Sequence, residues 1–178
     1  MPSLIGSTHF PELVQVKDSC KELFVAEKSL QLKKLIENNE FCNCTIQVGE
    51  EQFNVHLDIL CASSDYFNTI VGHDYNASDV VKLHNITPDT FSILLNFLYT
   101  GNMDLDFSNL LEVYIAADYL VLSSVLEFCR EFLAKKFHEG HISEALNAFI
   151  DIVTMYDDMT IFEILVSHLY LFRDKGNT

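Results

Sequence analysis

Residues 41–61 read FCNCTIQVGEEQFNVHLDILC. Cys42, Cys44, His56 and Cys61 all carry atoms that can ligate a metal, so the stretch is either a zinc site or part of a core. The alternation decides. Cys42, Cys44, Ile46 and Val48 fall on one side at period two, with Asn43, Thr45 and Gln47 on the other, the pattern of a half-buried strand. Gly49–Glu51 turns the chain and Gln52–Val55 returns as the second arm of a hairpin. Structural zinc sites favour Cys pairs held across a short turn. A Cys-x-Cys pair lying along a strand is better read as two small core residues. No metal or cofactor is expected.

Upstream, Asp18–Glu40 reads as a helix, with Leu23, Phe24, Leu30, Leu35 and Ile36 forming its apolar stripe and Val25 and Leu32 lying off it. Residues 12–16, ELVQV, suit a short strand. Downstream, residues 57–62 and 64–71 read as two short helices, with Ser63 and Ser64 as caps between them. Residues 79–83 read as a strand. Residues 87–101 hold a clear helix, with Thr87 at its cap, Pro88 at its first position and Gly101 past its end. Phe91, Leu94, Leu95 and Leu98 should be its buried face. Met103–Leu105 suits another strand. Helices follow over 106–120 and 122–137, joined tightly at Val121–Ser123. Gly140 breaks the chain before a helical pair over 142–156 and 159–174. The first of these should present Ile142, Leu146, Phe149 and Val153. The order predicts an α+β fold, a small sheet within a mostly helical domain.

The chain has 178 residues, 49% of them apolar, and few Gly or Pro, a globular and helix-rich composition. Lys and Arg number 11 against 26 Asp and Glu, a formal charge of −15. Binding to phosphate backbones or anionic membranes needs a basic face, so neither nucleic acid nor membrane is an expected partner. The N-terminal residues lack the charged and apolar regions of a signal peptide, so the five cysteines are expected as free thiols in the cytoplasm or nucleus. His56, His73, His84, His138 and His141 form no pattern with a nucleophile and a third orienting group. Gly49, Gly72 and Gly101 are isolated, so there is no phosphate-cradling loop. No enzymatic activity is expected.

Three segments carry a family resemblance. Residues 41–67 (FCNCTIQVGEEQFNVHLDILCASSDYF), 80–101 (VVKLHNITPDTFSILLNFLYTG) and 110–133 (LLEVYIAADYLVLSSVLEFCREFL) resemble the BTB/POZ domain, in that order and spacing. The helical pair after residue 138 is similar to the start of the BACK domain, the 3-box of kelch-type adaptors. The domain organisation expected is therefore an N-terminal extension (1–18), a BTB/POZ domain (19–137) and a 3-box or partial BACK pair (138–178).

The resemblance implies a protein–protein interaction module without an enzymatic site. It implies a homodimer through the first helix, here Leu23, Phe24, Leu30, Leu32 and Leu35. It also implies docking of cullin-3 as a ubiquitin-ligase adaptor, with Tyr75, Asn76, Ala77, Tyr99 and Tyr119 facing the cullin and residues 141–172 extending that surface. The alternatives are a zinc-finger-type transcriptional regulator that binds corepressors, for which residues 12–16 would be the exchanged strand, and a bare self-association domain. The family's charged pocket is altered: Asn43 stands where many members carry Asp, and Leu57 where they carry Lys or Arg. Removing one such partner strands a charge, whereas removing both can be neutral. In the cullin loop, Tyr75 supplies the apolar anchor but Ala77 stands in place of a Glu.

Overall fold

The computed structural model describes residues 18–71 and 80–156. Residues 12–16, the loop Tyr75-Asn76-Ala77 and the helix expected over 159–174 lie outside them.

The hairpin forms where the alternation places it. Strand β1 (Cys44–Val48) pairs antiparallel with β2 (Glu51–Val55), matching Cys44 to Val55 and Ile46 to Phe53. Gly49 makes the reversal with φ +58°, a conformation that costs glycine least. Helices α2 (Leu57–Ser63) and α3 (Asp65–Val71) follow, and β3 (Val80–Leu83) then joins the other edge of β1 in parallel, giving the order β2-β1-β3. The inner face of this sheet carries Cys44, Ile46, Val48, Val55, Val81 and Leu83, all buried. On the outer face Thr45 donates a hydrogen bond to Asn54 across the hairpin.

Helix α4 (Pro88–Thr100) supplies the other side of the core. Thr87 Oγ1 accepts from the Thr90 amide at 3.2 Å, and Gly101 ends the helix in the left-handed region while its amide donates to Phe97. Its buried residues include Phe91, Leu94, Leu95 and Tyr99. Leu98, expected in that face, is half-buried, and Tyr99 takes its place one position on. Helices α5 (Leu110–Tyr119), α6 (Ser123–His138) and α7 (Ile142–Tyr156) complete the described chain, with Val113, Ala117, Val125, Cys129 and Leu133 closing the core. A helix before the hairpin, α1 (Asp18–Glu37), lies against α4.

Three expectations change. Met103–Leu105 alternates half-buried with exposed positions, yet it forms no strand, because no ladder partner lies beside it among the described residues. In α7 the buried residues are Ala145, Phe149 and Ile152, while Ile142 and Leu146 are exposed. The apolar arc of that helix is wider than the part that packs, and the contact falls on one edge of it rather than at its centre. In α1 only part of the predicted stripe faces the core: Ile36 packs on the domain together with Leu32, which lies off the stripe, whereas Leu23, Phe24 and Leu30 are exposed.

Candidate interaction surface

Helix α1 divides into two halves. Its C-terminal half rests on the body through Leu32 and Ile36 and ends in a Schellman turn. There the Glu40 amide donates to the Leu35 carbonyl at 2.8 Å, with Asn39 left-handed. Its N-terminal half carries Leu23, 71% exposed, Phe24, 59%, and Leu30, 53%. Lys28 sits over the Phe24 ring, 5.3 Å from its centre. A groove of about 770 Å³ separates this half from the end of α4, with Val25 and Leu30 on one wall and Asn96 and Asn102 on the other. A helix packed on its core alone would keep such residues inward. Of the predicted interface residues, Leu23, Phe24 and Leu30 are solvent-facing, Leu32 packs on the domain and Leu35 is half-buried.

The two altered pocket positions meet, but not as a pocket. Leu57 is buried in the core. Its amide, the first of α2, donates to Asn43 Oδ1 at 2.8 Å. The helix cap His56 makes no side-chain cap bond, so a side chain from the segment before β1 satisfies that end. Next to it, Tyr99 Oη accepts the His56 backbone amide at 3.0 Å and lies 2.8 Å from His56 Nδ1. His56 Nε2 lies 2.8 Å from the Glu40 carbonyl. A carbonyl only accepts, so Nε2 carries the proton and Nδ1 accepts from the tyrosine hydroxyl. Tyr99 is 2% exposed, and burial pushes its phenol up. It therefore clamps α2 to α4 and does not face a partner, which corrects its placement on the cullin-facing surface. Cys44 is in the core and His56 is held at both ring nitrogens, so the opening stretch builds structure rather than a ligand set.

Tyr119 does reach the surface, at 42% exposure. Its hydroxyl lies 3.0 Å from that of Tyr66 on α3, and the rings are 5.2 Å apart. Burial and then the bond to Tyr119 push the Tyr66 phenol up. Ile70, one turn beyond Tyr66, and Val121, two positions beyond Tyr119, are also exposed. Beneath them Ser64, buried between α2 and α3, donates to the Leu120 carbonyl and accepts from the Phe67 amide, which fixes the α3 start to the α5–α6 turn. Sequence reasoning missed Tyr66, Ile70 and Val121. Tyr66 was legible as the tyrosine of the Ser-x-Tyr-Phe segment, whereas the others become visible only when α3 and α5 are set side by side.

A model described as the BTB/POZ domain matches residues 32–137. The chain belongs to the BTB/POZ domain family. Its BTB/POZ segment is 30% identical over 105 residues to Kelch-like protein 40 of Mus musculus, covering 59% of this chain and 17% of that relative. The chain thus spans a small part of that protein's length. The BTB domain of zebrafish PATZ1 superposes with a TM-score of 0.57 at 27% identity, covering 69% of this chain and 99% of that one. The BTB domain of human Gigaxonin shares the fold, with a TM-score of 0.57 at 22% identity and coverage of 70% and 99%. BTB/POZ domains are protein-interaction modules, and the α+β architecture is theirs. Among the described residues no helix is long and apolar enough to cross a membrane.

Proposed function

We propose that this chain homodimerises through the N-terminal half of α1 and serves as an adaptor or scaffold of a cullin-3 ubiquitin ligase. The observation that carries the reading is the exposed Leu23-Phe24-Leu30 face on a helix that otherwise packs on the domain. A two-fold axis through that face would bury it against its own copy, as isologous interfaces do. The kelch-like resemblance supports the adaptor role. In this reading Tyr119 and Tyr66 contact the cullin, Tyr75, Asn76 and Ala77 lie in its loop, and residues 138–178 act as a 3-box extension of the domain over 19–137. The cytoplasm or nucleus is the compartment that fits such a role.

One observation favours a second reading, the corepressor-binding transcriptional regulator. Met103–Leu105, which the sequence reads as a strand, has no ladder among the described residues, and an exchanged strand from residues 12–16 would pair it.

Calorimetric titration with the N-terminal domain of cullin-3 tests the first reading. Binding tighter than about 1 μM, roughly −8 kcal/mol, is expected, together with loss of most of that affinity in Tyr119→Ala. Absence of heat from a folded dimer would refute the adaptor role and leave the second reading standing.

A further inference from the structure

The link between α1 and β1, residues 38–43, holds two residues in the left-handed region, Asn39 with φ 54° and Phe41 with φ 60°. Asparagine tolerates that conformation, whereas a residue as bulky as phenylalanine is strained in it. Packing does not offset the strain, because Phe41 is 81% exposed. Hydrogen bonds on either side hold it in place. Before it, the Glu40 amide donates to the Leu35 carbonyl at 2.8 Å, and the Glu40 carbonyl accepts from His56 Nε2 at 2.8 Å. After it, the Asn43 amide donates to the Val55 carbonyl at 3.1 Å. The half-buried His56 ring thus ties a strained link to the start of α2 and, through Tyr99, to α4.

We propose that His56 is a pH-sensitive latch on the α1–β1 link, closed by the neutral ring and opened when Nδ1 takes up a proton. The neutral ring has one donor and one acceptor, and both are used: Nε2 donates to the Glu40 carbonyl and Nδ1 accepts from the Tyr99 hydroxyl. A proton on Nδ1 turns the acceptor into a second donor. Tyr99 Oη already accepts the His56 amide, and its own proton, on a side chain 2% exposed, then loses its acceptor. No carboxylate bonds the ring among the described residues to hold its charge. The Glu40 carboxylate accepts from the Asn38 amide, Asp58 stands in the first turn of α2, and Lys33 and Glu37 of α1 pair with each other at 3.8 Å beside Tyr99. Burial pushes the Cys42 thiol and the Tyr99 phenol up, so both stay neutral. A charged ring is better placed in water than in this site. Its departure takes Nε2 away from the Glu40 carbonyl and lets the Phe41 backbone relax. The closed latch excludes the proton, so it is favoured at higher pH and lost as pH falls. What it governs is the seating of α1, the helix that the link carries.

The test is amide hydrogen exchange of the full chain by NMR, read as protection relative to the intrinsic rate at each pH. From about pH 7.5 to about pH 5.5, the range in which histidines titrate, protection at the Glu40 and His56 amides falls about tenfold, while the β1–β2 ladder keeps its protection. The His56 ring carbons shift over the same range. His56→Gln retains a donor for the Glu40 carbonyl and has no proton to gain, so its protection at Glu40 is flat with pH. Protection that holds at both amides in the natural chain overturns the latch, whether or not the ring titrates. An equal fall in the ladder overturns it too, since carboxylates elsewhere then loosen the whole domain, and so does the same fall at Glu40 in His56→Gln. The comparisons of link with ladder and of ring with amides need only the natural chain, so they decide even where His56→Gln fails to fold.

Discussion

Leu23→Ala is the sharpest test of the dimer. Full burial of a leucine side chain is worth about 1.5–3 kcal/mol. Leu23 is 71% exposed in the single chain, so nearly three-quarters of that amount is still to be gained when a second copy covers it. Alanine retains the first carbon, and a two-fold interface contains the position twice, so the substitution should cost the dimer about 1.5–3 kcal/mol in all. That corresponds to roughly a 10- to 150-fold rise in the dimer Kd. The monomer itself should be indifferent, because Leu23 touches little of its own domain. Sedimentation equilibrium across a dilution series reads the first quantity. The thermal midpoint at concentrations low enough to hold both proteins monomeric reads the second. A variant that dimerises like the natural chain would refute the reasoning, and so would a natural chain that stays monomeric at tens of micromolar. A large loss of monomer stability would show instead that Leu23 packs intramolecularly.

Two further outcomes follow from the interior. Tyr99→Phe removes the acceptor of the His56 amide and the donor to its ring, a loss of about 2–3 kcal/mol for a buried amide left unpaired. Denaturant unfolding should show that loss at unchanged slope, and a change below about 0.5 kcal/mol would mean that the clamp is idle. Burial pushes the Cys129 thiol from 9.0 up to about 12. A raised folded value means that the contribution to stability is whole below the unfolded value and is lost as pH climbs from about 9 towards 12. Unfolding midpoints at pH 8 and 10.5 should therefore differ less in Cys129→Ala than in the natural chain, and equal differences would refute the assignment.

The central strand was legible because only one reading of Cys42–Val48 puts small and branched apolar residues on one side and polar ones on the other. The cap of α4 was legible for a similar reason, since Thr87, Pro88 and Gly101 each do something few other residues do at those positions. Helix α1 was not, because Leu23, Phe24, Leu30 and Leu35 look alike to a count of hydrophobics. Only the position of α4 tells which of them are covered. The resemblance placed Tyr99 on a partner-facing surface, yet the last buried turn of α4 uses its side chain to reach the start of α2. Asn43 read as a depleted charge, whereas its amide oxygen still does the work of capping a helix that begins elsewhere in the sequence.

The strand β1 is bonded on both sides, to a neighbour made by a tight turn and to one that arrives only after α2 and α3 have been built. These two pairings differ in how much chain must be organised before each can form. A local hairpin can close in about microseconds, whereas a parallel pairing waits for its crossover to be organised. Until β3 arrives, one flank of β1 is an open ladder, with alternating apolar residues offered to any extended chain nearby. A nascent copy in that state is more exposed to mispairing than the finished domain, and the speed with which α2 and α3 deliver β3 sets how long that hazard lasts.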